Sequence, residues 1–181
     1  MFTATPRPAP QQQAHAHALL APADSVCSAR PGEVRTARPE DAAALVGLSL
    51  PFVRSGALRE RPLALYADHA ADFLVAQAPD GTLEGCVGLR AHPAAAGEAG
   101  VVYNFCVAAH RQGDGLGAEL LRAVLATARA RSLDALFTAT TGSGGLFLRY
   151  GFELTTARLA PPSWAASLDP RRNARILTRT V

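Results

Sequence analysis

Three glycines at alternate positions, Gly113, Gly115 and Gly117, stand between an almost wholly apolar run, Val101 to Val107, and an amphipathic stretch that opens at Leu116. Glycine has no Cβ, so a turn built on it can bring several backbone N–H groups onto the oxygens of one anion. The first turn of a following helix adds its partial positive charge. The sequence Gln112-Gly113-Asp114-Gly115-Leu116-Gly117 therefore predicts a phosphate cradle, although glycines at this spacing also serve in a tight turn that holds no ligand. Two other phosphate-binding patterns do not fit. A Walker loop needs a lysine, and all 18 Lys or Arg residues of the chain are arginine. A dinucleotide-binding fold places its glycines after the first strand, with an acid about 20 residues on.

The arginines are the second chemical resource, since a guanidinium fork matches a carboxylate or phosphate through two parallel hydrogen bonds. They give a formal charge of +3 but are scattered along the chain. A basic stripe with interleaved aromatics is missing, so the charge argues only weakly for nucleic acid and suits a small anionic molecule equally well; no nucleic-acid partner is expected. The cysteines, Cys27, Cys86 and Cys106, are odd in number and lack CxxC spacing. They imply neither a disulfide framework nor a zinc site, and fit a reducing compartment, the cytoplasm. His15 and His17 have no further ligands beside them, so no metal is expected. No apolar run reaches the ~20 residues that span a bilayer, which excludes a membrane-spanning role. The apolar stretch at 14–23 is too short and too interrupted for a secretory signal.

These groups must be held by a folded domain, and residues 33–181 carry its pattern. Residues 1–32, rich in Ala, Pro and Gln without a sustained apolar period, read as a disordered tail. A short strand is expected at Val34–Ala37, then a helix opened by Pro39-Glu40-Asp41 and ended by Pro51. Residues 62–71 read as helix. Phe73–Ala76 and Leu83–Leu89 form a hairpin across Pro79-Asp80-Gly81, and Pro93–Gly100 is a loop of small residues. Val101–Val107 is a central strand covered on both faces. Leu116–Arg131 is the strongest helix, with Leu120, Leu121, Val124, Leu125 and Ala128 on one face. A strand at Ala135–Thr138, a short helix at Leu146–Tyr150 and a hairpin from Phe152 complete a mixed α/β order.

The residues Tyr103-Asn104-Phe105-Cys106-Val107, followed by His110-Arg111-Gln112-Gly113-Asp114-Gly115-Leu116-Gly117-Ala118-Glu119-Leu120-Leu121, resemble the core motif of the GNAT superfamily of N-acetyltransferases. Tyr150-Gly151-Phe152 is similar to the glycine–phenylalanine turn of that superfamily. The resemblance spans about Val34 to Leu154. It implies an α/β (α+β) fold: a mixed, mostly antiparallel seven-stranded sheet, splayed at the fourth strand and flanked by about four helices. It implies acetyl-CoA as cosubstrate, with Phe105, Cys106 and Val107 along the pantetheine and thioester. Gln112, Gly113, Asp114, Gly115, Leu116 and Gly117 would hold the pyrophosphate.

A narrower resemblance lies in Gly56-Ala57-Leu58-Arg59-Glu60-Arg61, Gly85-Cys86-Val87-Gly88-Leu89, Leu136-Phe137-Thr138-Ala139-Thr140-Thr141 and the closing Arg172-Asn173-Ala174-Arg175-Ile176-Leu177. Together these look like the acetyltransferase domain of N-acetylglutamate synthases, here in a short, stand-alone form. The match implies L-glutamate as acyl acceptor, as in arginine biosynthesis, with Arg61 and Arg172 on its two carboxylates. The chain departs from that pattern at Ala174, Leu146, Val101 and Glu60.

The family's chemistry is direct attack of a neutral amine on the thioester, with a main-chain N–H near Val107 as the implied oxyanion donor. Phe147 occupies the slot where many relatives carry a tyrosine that serves as general acid, and Tyr150 reads as a packing aromatic. Glu60, Glu98 and Tyr103 are the candidates for proton acceptor, and no catalytic residue is assigned. Cys106, on a buried strand without a histidine partner, is expected to behave as a small hydrophobe. Two other readings remain: an acetyltransferase for a different amino acid or an amine-bearing toxin, and an acetyl-CoA-binding module without turnover. Oligomeric state is not readable from the sequence, and a homodimer is compatible with it.

Overall fold

The computed structural model describes residues 34–95 and 97–181. The expected tail, with His15, His17 and Cys27, lies outside the described residues. In chain order the elements are β1 (Val34–Thr36), α1 (Ala42–Arg54), α2 (Leu63–Asp68), β2 (Phe73–Gln77), β3 (Leu83–Ala94), β4 (Gly97–Val107) and α3 (Leu116–Ala130). Then follow β5 (Ala135–Thr140), α4 (Gly145–Arg149), β6 (Glu153–Thr155), α5 (Pro162–Ala166) and β7 (Arg175–Thr180). The seven strands form one sheet in the order β1-β2-β3-β4-β5-β7-β6. Neighbours are antiparallel except β4 and β5, which run parallel. A parallel pair needs a long crossover, and α3 supplies it. The α-helices described number five where about four were expected.

Each face of the sheet is closed by helices. Leu116, Leu120, Leu121, Val124, Leu125 and Ala128 recur at helical spacing on α3, and they pack on Val87, Leu89, Val102 and Leu136. Phe147 of α4 and Phe152 of the glycine–phenylalanine turn join the same cluster. On the opposite face Ala42 and Leu45 of α1 and Tyr66 of α2 cover Phe73, Val75, Cys86 and Cys106. Trp164 of α5 packs on a further patch formed by Ala99, Val101 and Phe137. The central strand is thus buried from both sides, as its continuous apolar run requires.

Two expectations are corrected. Pro51 does not end α1, which runs on to Arg54. The backbone acceptor that a proline leaves unmatched there belongs to Gly47, on the exposed face, where water can reach it. Residues 93–100 are not a loop: β3 extends to Ala94 and β4 starts at Gly97, so Pro93 stands opposite Glu98. β2 accompanies β3 only as far as Gly88, so beyond it β3 has a free side on which a residue without an N–H is tolerated.

β4 and β5 pair only from Ala99–Val102 to Ala135–Thr138. Thr138 Oγ1 donates to Val102 O at 3.0 Å on the last rung. Beyond it β4 continues to Val107 beside β3 alone, so the sheet is splayed and the edge of Tyr103–Val107 on the β5 side is open.

One ion pair ties β1 to the start of α1. Arg35 grips Asp41 through Nη1 at 2.7 Å and Nη2 at 3.0 Å, and Asp41 also accepts from Arg38 N at 2.8 Å. The hydrogen bond from Arg35 holds the Asp41 carboxyl below the usual carboxylate range. A depressed carboxylate contributes stability above its unfolded pKa of about 4 and loses it as pH falls through its folded value. Asp41→Asn is therefore expected to lower the melting midpoint by a few degrees at pH 7, on the order of 1 kcal/mol. The gap to wild type should close as pH drops below about 4. A gap unchanged from pH 7 to 3 in calorimetric scans would show that Asp41 acts by some other route.

Candidate active site

The glycine turn is fixed at its base by a buried acid. Glu84 of β3 accepts from Arg111 Nη1 and lies 3.1 Å from His110 Nε2, which holds the chain as it leaves β4. Gln112 is committed to structure: its Nε2 donates to Val107 O at 3.1 Å, and its N–H to Ala109 O at 3.3 Å. Arg111 Nε lies 3.3 Å from Asp114 Oδ2, so that carboxylate is partnered. Gly113 and Gly115 adopt φ of 95° and 89°, a left-handed backbone that side-chain-bearing residues avoid. Among the described residues the N–H groups of Gly113, Gly115, Leu116 and Gly117 find no hydrogen-bond acceptor. Four unpaired donors at the start of a 15-residue helix form a site fitted to a phosphate group.

Next to the turn lies the open edge of β4. Ala108 N donates to Glu84 O of β3 at 2.8 Å, and peptide groups alternate direction along a strand. The N–H and C=O of Val107 therefore point away from β3, into the gap. The gap widens into a cleft of about 960 Å³, whose walls include Phe105 of β4, Thr140 of β5 and Phe147 of α4. Phe105 and Phe147 meet edge to face at 5.6 Å between ring centroids. Cys106 points the other way: its side chain is fully buried on the α1 face against Cys86 and Asn104. By the same alternation its N–H and C=O turn toward β3, so the free main-chain groups facing the gap here are those of Val107.

Arg61 and Arg172 line this same cleft. Arg61 Nη1 donates to Asn104 Oδ1 at 3.1 Å and to Arg59 O at 3.3 Å, and its guanidinium sits 5.3 Å from the centre of the Tyr103 ring. Arg172 Nη2 donates to Gly56 O at 2.8 Å and Ala57 O at 2.7 Å, tying the approach to β7 to the loop after α1. Each guanidinium commits one terminal nitrogen to the protein. Among the described residues the remaining donors of each meet no acceptor.

The acetyltransferase (GNAT) family model matches residues 44–152, from α1 through Gly151-Phe152. The chain belongs to the GNAT acetyltransferase family. Its members use acetyl-CoA as cosubstrate, and the unpaired N–H cluster and open strand edge fit that molecule. The chain is 32% identical to the amino-acid acetyltransferase of Ralstonia nicotianae over 150 residues, which cover 82% of the chain and 32% of the relative. It is 28% identical to that of Pseudomonas syringae pv. syringae over 148 residues, 82% of the chain and 34% of the relative. The chain thus spans about a third of the length of these curated relatives. Among solved structures it resembles N-acetylglutamate synthase from Neisseria gonorrhoeae complexed with coenzyme A and N-acetyl-glutamate. There the TM-score is 0.75 and the identity 26%, over 82% of this chain and 34% of that one. Rv2747 from Mycobacterium tuberculosis, solved with CoA, shares the fold at a TM-score of 0.64 and 22% identity, over 82% of the chain and 99% of its own.

Within this GNAT site the three candidate proton acceptors are placed unequally. Glu98 stands beside the β3–β4 turn opposite Pro93, and Glu60 is exposed outside the cleft wall. Tyr103 lines the cleft, but its hydroxyl donates to Asp72 Oδ2 at 3.2 Å, and burial pushes its pKa up. It is held as a proton donor. The neighbouring Cys106 and full burial push the Cys86 thiol up, and both cysteine side chains pack in the core under α1. Sequence reasoning missed two cleft residues. Arg90, whose Nε donates to Asp72 Oδ2 at 2.6 Å, lies 5.5 Å from the Tyr103 ring centre on the same cleft wall. His92 lies 3.1 Å through Nδ1 from Ser163 Oγ, and burial together with Arg90 lowers its pKa, so the ring is neutral at pH 7. The available signal was a charge within the otherwise apolar stretch Gly85–Ala91.

Proposed function

We propose that the chain transfers the acetyl group of acetyl-CoA to the α-amino group of an amino acid carrying a second carboxylate, L-glutamate, as in arginine biosynthesis. The observation that carries this reading is the meeting of Arg61 and Arg172 in one cleft with the open edge of β4. Two guanidiniums, each with donors to spare, match two carboxylates, and the α-amine would then lie toward the strand edge. The relatives called amino-acid acetyltransferases and the synthase solved with N-acetyl-glutamate support the same reading.

In this assignment the N–H groups of Gly113, Gly115, Leu116 and Gly117 hold the pyrophosphate, and Phe105, Cys106 and Val107 present the strand edge to the pantetheine arm. The thioester supplies an electrophilic carbonyl. The amine, freed of one proton, adds to that carbonyl to form the C–N bond of a tetrahedral intermediate. Its collapse breaks the C–S bond, the CoA sulfur leaves with the electron pair, and the proton shed by the nitrogen balances the one that sulfur takes up. Val107 N–H, aimed into the gap, is the donor for the carbonyl oxygen as it gains charge. Gln112 supports that role from the neighbouring carbonyl, because its bond to Val107 O fixes the strand end. Among the described residues no helix is long and apolar enough to cross a membrane, which suits the proposed cytoplasmic setting.

The test is the initial rate of thiol release with acetyl-CoA and each common amino acid. L-glutamate is expected to show the highest kcat/KM, with glutamine at least about tenfold lower, because an unmatched guanidinium in the cleft costs binding. Another amine preferred over glutamate would redirect the acceptor assignment. Tight CoA binding with no thiol release for any of them would mark a binding module.

A further inference from the structure

Tyr103 and Cys106 both face α1 and α2, although they are three positions apart in a strand whose side chains alternate. A bulge reconciles them. Cys86 stands opposite Cys106 and Gly88 opposite Tyr103, so Asn104 and Phe105 together oppose Val87. Asn104 takes up the irregularity with φ of 50°, a conformation that asparagine tolerates better than most residues. Its side chain is thereby turned to the same face as Tyr103 and is almost fully buried.

The buried amide meets three polar partners in a single orientation. Oδ1 accepts from Arg61 Nη1 at 3.1 Å and from Tyr66 Oη at 3.2 Å. Nδ2 donates at 2.9 Å to Ser49 Oγ, whose own hydroxyl donates to Leu45 O at 2.7 Å. Arginine has donors only, so Oδ1 must face Arg61, and the Ser49 proton is already committed to the α1 backbone. The chain Leu45–Ser49–Asn104–Arg61 runs from inside α1, through the bulge of β4, to a guanidinium at the cleft.

We propose that Asn104 is the positioning residue for Arg61, and that it sets the affinity for the acyl acceptor by fixing where the guanidinium points. This rests on the carboxylate-binding role proposed for Arg61. An arginine side chain has several rotatable bonds, and a fixed buried acceptor at one nitrogen selects the orientation that leaves the others toward the substrate. Without that acceptor, the guanidinium is free to turn along the Tyr103 ring or toward Arg59 O.

A double-mutant cycle read in KM tests this. Asn104→Gly retains a backbone free to adopt φ of 50° and deletes the amide. It is expected to raise KM for L-glutamate about tenfold, the scale of a lost hydrogen bond to a charged group, with kcat and KM for acetyl-CoA within about twofold. Arg61→Ala should raise the glutamate KM further, and adding Asn104→Gly to it should change KM by less than about twofold, because Asn104 would have no guanidinium left to position. Equal effects of Asn104→Gly in both backgrounds, or an effect confined to kcat or to acetyl-CoA, would overturn the inference while leaving the role of Arg61 intact. No effect of Arg61→Ala on the glutamate KM would remove the carboxylate reading and this inference with it. If Asn104→Gly does not fold, Asn104→Ser decides. Its shorter side chain keeps a polar group among Ser49 and Tyr66 but withdraws the acceptor from Arg61, so glutamate KM should again rise about tenfold. An unchanged KM in that folded variant would equally overturn the proposal.

Discussion

Gly115→Glu is expected to abolish acetyl-CoA binding in a protein that still folds. Gly115 caps α3 with φ of 89°, and a Cβ built on it meets nothing within 4 Å, so the substitution overfills no space. Its cost to the fold is the left-handed backbone, about 1–2 kcal/mol, which a domain of this size tolerates. Its cost to binding is larger and has two sources. A carboxylate is set among the N–H groups of Gly113, Leu116 and Gly117, where it competes for the donors and repels the pyrophosphate. The expected loss is on the order of 100-fold or more, about 2.7 kcal/mol, which carries a micromolar ligand out of range of titration calorimetry. Gly115→Ala is the companion. It shares the backbone penalty and lacks the charge, so it should melt at the same lowered temperature yet retain measurable affinity. If Gly115→Glu binds acetyl-CoA as wild type does, the pyrophosphate lies elsewhere.

The cradle was legible in the sequence because everything it needs is local: consecutive residues, glycines at the strained positions, and a helix whose apolar spacing announces its start. The core face of α3 was legible for the same reason, and the spread of the sheet beside the fourth strand came with the family resemblance. What stayed hidden depends on partners distant in sequence. Residues 91–94 and 97–100 are mostly alanine, glycine and proline, with little strand propensity of their own, and pairing between β3 and β4 makes them strand. Pro51 reads locally as a stop, yet the exposed face of α1 near Gly47 tolerates it. Arg90 stood out as a charge, but its partner Asp72 lies on the far side of β2, and its stacking on Tyr103 depends on the register of β3 with β4. Asn104 gave no signal, because one residue in the left-handed region of an apolar strand has no periodicity to betray it.

If the proposed acceptor is right, Arg172→Ala and Arg61→Ala are each expected to worsen kcat/KM for L-glutamate by about 30-fold or more, on the scale of 2–5 kcal/mol for a desolvated carboxylate left without its fork, while acetyl-CoA affinity stays nearly constant. Arg171 supplies the contrast. It is exposed, its guanidinium has no hydrogen-bond partner among the described residues, its backbone N–H donates to Asp169 Oδ1 at 3.0 Å, and Arg171→Ala should cost little. Arg172 also holds the carbonyls of Gly56 and Ala57, so its loss should lower the melting midpoint as well. Stability alone therefore does not isolate its role, and glutamine does. Glutamine lacks the side-chain carboxylate, so the arginine that serves that group has little left to lose on it, whereas the arginine serving the α-carboxylate loses as much as before. One of the two variants should thus show an effect at least about tenfold smaller with glutamine than with glutamate, and the other an effect of similar size with both. Two arginines that fail together on both substrates would be holding the cleft open and not reading its ligand. If wild type turns over glutamine as fast as glutamate, or if Arg171→Ala costs as much as Arg172→Ala, two-carboxylate recognition is wrong, and the acceptor must be sought among amines without a second acid.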